Sequence, residues 1–103
     1  MIDSIKQQVE VGNYRFTIHG FERCAERDIS PIDVKYAILS GEIIEDYPED
    51  KYGTSCLIFG MSRYNSIIHV HCSIDPVWII TAYDPTLKQD EWDANFKRRI
   101  TKL

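Results

Sequence analysis

Three side chains that can carry positive charge, His19, Arg23 and Arg27, recur at intervals of four residues. On a helix this spacing places all three in one row, on a different side from the apolar Phe21 and Cys24. Arg23 and Arg27 repel each other, so the row favours an anion from outside the helix. Two sources stay open: a carboxylate on the fold's own acidic strand, or a phosphate on a ligand or substrate.

Two further histidines, His69 and His71, alternate with Val70 and Cys72 in the period-two pattern typical of a strand. Both imidazoles should therefore point away from the core face, and His-x-His is half of a metal site. The pattern places Cys72 on the opposite face and Cys24 on the buried side of its helix, so no third ligand is evident. We therefore expect no metal and no cofactor, and the same separation disfavours Cys–His nucleophilic catalysis.

These side chains suit acid–base chemistry on a phosphodiester. Cleaving RNA without a metal needs a base for the 2′-hydroxyl proton, an acid for the leaving 5′-oxygen and cations for the charge at phosphorus. The three histidines are the only side chains here that titrate near neutrality unaided, and Arg23 and Arg27 would form the anion clamp. Tyr83, at the end of the last predicted strand, would donate a proton or stack on a base, or would instead pack against Trp92 or Phe96.

Composition narrows the class of protein. With 103 residues and 44% hydrophobic content, the chain predicts one domain, residues 1–103, with a single core. The formal net charge of −4 counts against nucleic-acid binding through bulk electrostatics, so we expect no DNA binding by this chain alone. The charge is uneven, however, since residues 42–50 hold five acidic side chains whereas Lys97, Arg98 and Arg99 form a basic cluster suited to RNA.

The apolar runs and the cysteines of the sequence indicate where in the cell the protein acts. The longest apolar run, residues 77–80, is far too short to span a bilayer, so we expect no membrane partner and a cytoplasmic location. The three cysteines are odd in number, lack C-x-x-C spacing and sit in apolar patterns. They should therefore be reduced and buried.

Hydrophobic periodicity predicts a helix, a strand, two helices, four strands and a last helix. The first three helices are predicted over residues 3–11, 19–28 and 30–41, and the strands over residues 14–18, 42–47, 55–61, 67–74 and 77–83. A short terminal helix should carry Trp92 and Phe96. The predicted α+β domain has one antiparallel sheet, a four-strand meander plus the N-terminal strand, covered on one face by the two consecutive helices. Its open face should carry His69, His71 and Tyr83.

A series of motifs runs along nearly the whole chain: Phe16-Thr-Ile-His19, Arg23, Arg27, Gly41-Glu-Ile-Ile-Glu-Asp-Tyr-Pro48, Ser55-Cys-Leu, Ile80-Thr-Ala-Tyr83-Asp-Pro85, Trp92 and Lys97-Arg98-Arg99. In this order they resemble a family of small bacterial proteins of long-unknown function, which is similar to the BrnT and RelE/ParE-like toxins of type II toxin–antitoxin pairs. The resemblance implies a RelE-like fold and an endoribonuclease-like toxin, often encoded beside a short antitoxin with a zinc ribbon. His19, Arg23 and Arg27 match the family pattern in place, whereas His71 and Tyr83 come from the chemical argument.

We therefore interpret the chain as the toxin of a type II pair, an endoribonuclease that acts on RNA with an arginine clamp and histidine chemistry at His19 or His71. The alternative is a non-catalytic module on the same scaffold, which binds a protein partner through its open sheet face. We also expect an acidic or amphipathic segment of the antitoxin to dock on the basic cluster, residues 97–99, and the neighbouring strand edge.

The two sources of an anion for the arginine row predict different structures. If Arg23 and Arg27 serve the fold, both should lie within salt-bridge distance of an acidic residue among Glu45, Asp46, Asp75 and Asp84. If they serve a ligand, at least one guanidinium should border a pocket that it shares with a histidine.

Overall fold

The structure, a computed structural model, describes residues 1–100; the last three residues of the predicted domain lie outside the described residues. The elements are α1 (Ile2–Glu10), β1 (Tyr14–Phe16), α2 (Ile18–Glu26), α3 (Pro31–Ser40), β2 (Glu42–Tyr47), β3 (Ser55–Met61), β4 (Ile67–Ser73), β5 (Val77–Tyr83) and a 3₁₀ helix (Pro85–Glu91). Among the described residues, no helix is both long and apolar enough to cross a membrane.

The five strands form one sheet in the order β1-β5-β4-β3-β2. The predicted α+β class is confirmed, as is the antiparallel meander of β2 to β5. The N-terminal strand departs from the fully antiparallel prediction, because β1 pairs in parallel with β5, with Tyr14 opposite Val77 and Phe16 opposite Ile79. The sheet is therefore mixed. Periodicity within three residues cannot report the direction of a partner strand more than sixty positions away.

Local signals at the helix starts explain α2 and α3. The Thr17 hydroxyl caps α2 by accepting a hydrogen bond from the Gly20 amide at 2.9 Å. Ser30 caps α3 by accepting one from the Asp33 amide at 3.4 Å, and Pro31 occupies the first helical position. Both helices pack on the same sheet face, and α1 packs on α3. The core lies between these helices and the sheet, and its buried members include Val9, Val34, Ile38, Ile58, Val70 and Ile79.

Glycine at position 60 lets α3 approach β3 closely. A Cβ built on Gly60 would overlap the backbone of Ala37, which is part of α3. Helix and strand therefore meet backbone to backbone at this point, and no larger residue fits without moving one of them.

The C-terminal segment differs from the predicted helix. A 3₁₀ helix over Pro85–Glu91 precedes it, and residues 92–100 form a turn closed by a bridge between Trp92 and Arg99. The Asp93 carboxylate accepts hydrogen bonds from the amides of Lys97 and Arg98, at 3.0 and 3.3 Å, so it satisfies donors that a helix would have used. Phe96 adopts a φ of 58°, which also interrupts a helix. The segment covers one end of the sheet face opposite the helices, where Trp92 is buried.

The edge strand β2 contains a bulge. Ile43 pairs with Ile58 and Glu45 with Leu57, so the register shifts between these two residues and Ile44 has no partner. Glu42 and Asp46 of this strand are exposed. Within residues 1–100, no other strand pairs with its outer edge.

All three cysteines are free and buried, as predicted. Cys56 of β3 and Cys72 of β4 lie directly opposite each other on the core face, and Cys24 lies on the buried side of α2.

Candidate functional site

His71 is held by a carboxylate on the sheet face opposite the helices. Its Nε2 lies 2.9 Å from Asp50 Oδ2 and 3.0 Å from Ser55 Oγ, and the Ser55 hydroxyl donates to the same Asp50 oxygen at 2.6 Å. Ser55 is fully buried and lies at the start of β3, while Asp50 lies within the turn between β2 and β3. The turn between β2 and β3 is therefore fastened to β4 through the imidazole.

Asp50 determines which nitrogen of His71 holds a proton. The hydrogen bond from Ser55 and the nearby His71 lower the pKa of Asp50, so its carboxylate is ionised and can only accept. Nε2 must therefore donate, and in the neutral ring Nδ1 is the atom with the free lone pair. Among residues 1–100, no group forms a hydrogen bond with Nδ1. This arrangement of carboxylate and imidazole is the one that orients a general base.

His71 lines an open cleft of about 530 Å³. Its lining residues come from four strands, the turn after β2 and the C-terminal segment: Tyr47, Glu49, Asp50, Leu57, His71, Thr81, Tyr83 and Arg99. The Tyr47 ring meets the His71 ring edge-on, with centroids 5.2 Å apart. We call this space the His71 cleft.

Arg99 is the cation of the His71 cleft. Its Nε and Nη2 donate to the two carboxylate oxygens of Glu45 at 3.2 and 3.1 Å, and its guanidinium lies 4.5 Å from the centre of the Trp92 ring. Tyr47 donates its hydroxyl proton to Glu45 as well. The Glu45 hydrogen bonds raise the pKa of Arg99, and burial together with Glu45 raises the pKa of Tyr47. Both side chains therefore stay protonated, but Tyr47 donates its one hydroxyl proton to Glu45, so Arg99 is the member of the pair that can face an anion as a donor.

His69 has a structural environment, unlike His71. It is fully buried; Nε2 donates to the Phe96 carbonyl at 2.6 Å, and Nδ1 accepts from the Tyr83 hydroxyl at 3.2 Å. Burial lowers the pKa of His69, so the ring is neutral and its tautomer is set by Phe96. Trp92 packs edge-on against the same ring, at 4.5 Å between centroids. Within the described residues the two histidines thus have separate partners, and no group of three potential metal ligands occurs.

Tyr83 lies between the buried histidine and the His71 cleft. Burial raises its pKa to about 12, so the phenol keeps its proton at neutral pH. Its ring contacts His69 at 5.3 Å between centroids, and it lines the His71 cleft beside Arg99. Tyr83 therefore lines the cleft and packs on His69, whereas the packing alternative predicted from the sequence named Trp92 or Phe96.

Arg27 borders a second cleft, of about 850 Å³, that shares Tyr83 and Arg99 with the first. Its Nη1 donates to the Ala82 carbonyl at 2.8 Å and to Thr81 Oγ1 at 3.1 Å. Within residues 1–100, no carboxylate lies within salt-bridge distance of Arg27. The two clefts therefore meet at Tyr83 and Arg99, with His71 on one side and Arg27 on the other. The carboxylates that line the second cleft are Glu26, Asp28, Asp84 and Glu91.

The other two members of the predicted row lie outside both clefts. Arg23 pairs with Glu26 of its own helix at 3.1 Å, and His19 is exposed, with Glu22 at 3.9 Å. Neither arrangement predicted for the row occurs, because the named acidic partners are not used and the cleft beside Arg27 contains no histidine. Arg27 is the C-cap of α2, with its amide still bonded to the Arg23 carbonyl at 3.1 Å, and it is the member of the row whose side chain reaches β5.

The basic cluster rests on the acidic edge of the sheet. Lys97 lies 3.3 Å from Glu42 and 5.0 Å from the centre of the Phe59 ring, and Arg99 pairs with Glu45 as described. The backbone of Arg98 bonds Asp93, through its amide to the carboxylate and its carbonyl to the Asp93 amide. Carboxylates of the chain itself, on Glu42, Glu45 and Asp93, therefore bond the basic cluster where an acidic segment of a partner was predicted to dock.

Sequence reasoning missed Asp50 and Ser55. A usable signal existed, because a carboxylate just after a strand and a serine at the start of the next are placed together when the intervening turn folds back. Arg99 was predicted to bind RNA as part of the tail, but not to join the histidine site.

Comparison with known proteins gives a family without an assigned activity. Residues 16–84, about two thirds of the chain, match the family described as a domain of unknown function, DUF4258. The matched span contains Arg27, Asp50, His71 and Tyr83, but not Arg99. No curated protein and no solved structure matched. The predicted membership in a family of unknown function is confirmed, and the further similarity to BrnT and RelE/ParE-like toxins stays a prediction. The chain belongs to the DUF4258 family.

Proposed function

We propose that this protein cleaves single-stranded RNA without a metal, with the scissile phosphodiester in the His71 cleft. The observation that carries the proposal is the Asp50–His71 hydrogen bond of 2.9 Å, which leaves Nδ1 as the proton-accepting atom of a ring that lines a cleft with Arg99. A base, a cation and a protonated phenol in one cleft are the groups that this reaction requires.

In the proposed reaction, His71 Nδ1 takes the proton of the 2′-hydroxyl, and the 2′-oxygen attacks phosphorus. The bond from phosphorus to the 5′-oxygen breaks as the Tyr83 hydroxyl turns from His69 Nδ1 to the leaving oxygen and gives it the proton. The products are a 2′,3′-cyclic phosphate and a free 5′-hydroxyl. Water then returns a proton to Tyr83 and removes one from His71, which balances the cycle. Arg99 donates to the phosphoryl oxygens as charge builds on them.

The charges limit the substrate. Glu49 and Asp50 line the His71 cleft together with Arg99, so the cleft suits one phosphodiester and not a polyanion held by many cations. Arg27, which lacks a carboxylate partner among the described residues, is the proposed contact for the neighbouring phosphate. Arg23, which is exposed on α2, and Lys97 with Arg98 are proposed as outer contacts to the RNA chain, whereas His19 lies outside both clefts and is given no contact.

Purified protein tests the reaction directly. In the presence of EDTA, a single-stranded RNA oligomer should yield fragments with 2′,3′-cyclic phosphate ends, and His71→Ala should lower the cleavage rate by about 10²- to 10⁴-fold. His19→Ala is the matched control, because it removes a histidine that lies outside the cleft. Equal rates for the wild type and both variants would reveal a contaminating nuclease and end the proposal.

We propose further that the protein acts in the cytoplasm as a toxin neutralised by an antitoxin. Induction of the protein alone in a bacterium tests this role. Growth arrest that His71→Ala relieves, and that co-expression of the neighbouring gene also relieves, is the expected result. If induction leaves growth unaffected and the RNA stays intact, the result favours the non-catalytic protein-binding module.

A further inference from the structure

Two exposed aromatic rings lie on elements that also line the His71 cleft, namely the turn between β2 and β3 and the strand β5. Tyr52 follows Asp50 by two residues and is 42% exposed; Trp78 of β5 is 37% exposed. Together with Thr17 they line a hollow of about 350 Å³. We call this hollow the aromatic slot.

The aromatic slot is open between its two rings. Within residues 1–100, Tyr52 and Trp78 make no ring contact with each other, although they line the same hollow. Trp78 is held in place by the sheet, and its amide donates to Ser73 Oγ at 2.8 Å. The turn that carries Tyr52 is held by Asp50 and by the hydrogen bond from the Gly53 amide to the Asp50 carbonyl at 2.9 Å. The backbone that carries each ring is therefore held in place before any ligand arrives.

Positive charge flanks the aromatic slot. Arg15 of β1 lies opposite Trp78 in the sheet register, and Lys51 Nζ lies 5.1 Å from the centre of the Tyr52 ring. Within the described residues neither cation has a carboxylate at salt-bridge distance. Aromatic platforms interleaved with unpaired cations are the pattern that binds single-stranded nucleic acid, where bases stack and phosphates meet the cations.

We propose that the aromatic slot takes a nucleobase of the same single-stranded RNA, stacked between Tyr52 and Trp78. This proposal rests on the proposed function for its choice of RNA as the ligand. A proline-rich peptide would also suit two aromatic rings, but it would leave Arg15 and Lys51 without a role. The charges therefore favour RNA.

Trp78 is itself the probe. Stacking of a base should quench its fluorescence, whereas Trp92, which is buried, should give a constant background. The experiment titrates the inactive His71→Ala protein with a short single-stranded RNA and follows the tryptophan emission. The expected result is saturable quenching that Trp78→Phe abolishes, and an affinity about tenfold weaker in Tyr52→Ala.

Tyr64→Ala is the matched control. Tyr64 is 76% exposed and has Arg63 at 5.2 Å from its ring centre, but it lies in the turn at the opposite end of β3 and β4. Its removal should leave binding unchanged, and an equal loss in both tyrosine variants would overturn the slot. Circular dichroism of each variant checks that it folds.

The outcomes separate this proposal from the cleavage reaction. Cleavage that persists in Tyr52→Ala, with no quenching of Trp78 by RNA, overturns the slot and leaves the reaction standing. If RNA quenches Trp78 and Tyr52→Ala removes this quenching, but the wild type cleaves no RNA, the slot is supported and the reaction is overturned. Quenching by a proline-rich peptide but not by RNA also overturns the slot as a base site.

Discussion

At the scale of single residues, the hydrogen bond from His71 to Asp50 gives the imidazole one defined tautomer. Substituting Asp50 with Asn keeps a side chain of the same size but lets it donate as well as accept, so the ring can turn or change tautomer. We expect Asp50→Asn to lower the RNA cleavage rate by about 10²-fold with little change in KM, because general-base catalysis is worth about that much or more. Single-turnover kinetics measures it, and an unchanged rate would contradict the role given to Asp50.

The second prediction at this scale concerns His69. Burial lowers its folded-state pKa below the unfolded value, so the unfolded chain binds the proton first as pH falls. Its contribution to stability is therefore complete above about pH 6.5 and is lost below that, at up to about 1.4 kcal/mol per pH unit. Urea unfolding between pH 7 and 5 should show this slope.

His69→Gln should flatten the dependence in that window, whereas His19→Gln should not, because His19 is exposed. Carboxylates such as Asp33, whose pKa Arg63 and Ser30 lower to about 2, add their own losses only at more acid pH. Parallel profiles for wild type and His69→Gln would refute the assignment.

The residue scale also separates what pattern predicts from what it does not. Alternation along β4 correctly predicts that His69 and His71 share a face. It cannot say that Trp92 and Phe96 bury the first and leave the second in a cleft, because that depends on a turn made by Asp93 some twenty residues later. Alternation cannot predict the partner of His71 either, because Asp50 belongs to a turn, where side chains follow no strand period.

At the scale of elements, α3 and β3 meet where Gly60 faces Ala37. We expect Gly60→Ala to destabilise the fold by about 3 kcal/mol or more, because helix or strand must move to admit the methyl group. Chemical denaturation measures the change. Gly53→Ala is the control: its φ of 83° costs about 1 kcal/mol, but no atom lies within 4 Å of the added Cβ. Equal effects would mean that the close approach does not matter.

Element types and order followed from sequence at α2, α3 and β2 to β5, where caps and alternation agree with the final packing. The predicted helix at the C terminus is wrong. The apolar spacing of Trp92 and Phe96 resembles that of a helix, but the Asp93 carboxylate accepts the hydrogen bonds of the backbone amides there. The row of His19, Arg23 and Arg27 failed as a unit because the three side chains have different partners: Arg23 pairs with Glu26, Arg27 reaches β5 and His19 faces solvent.

At the scale of the whole molecule, the net charge is −4 and few cations line the two clefts. RNA binding by the His71→Ala protein should therefore depend weakly on salt, with a slope of log K against log salt of about −2 to −3 if three or four phosphates are contacted. Arg27→Gln should make the slope shallower by about 0.7, whereas Lys35→Gln, on α3, should not change it. A slope steeper than about −5 would mean that a different, more basic surface binds the RNA.

The register shift in β2 affects how copies of this chain meet one another. A strand with an unpaired outer edge invites the same strand of a second molecule, and repeated pairing leads to aggregation. The skipped Ile44 bends that edge, and the exposed Glu42 and Asp46 would face like charges in an approaching copy. Replacing both carboxylates with threonine should therefore raise light scattering at high protein concentration while leaving the fold intact, so the acidity that weakens RNA binding is also what keeps the protein dispersed.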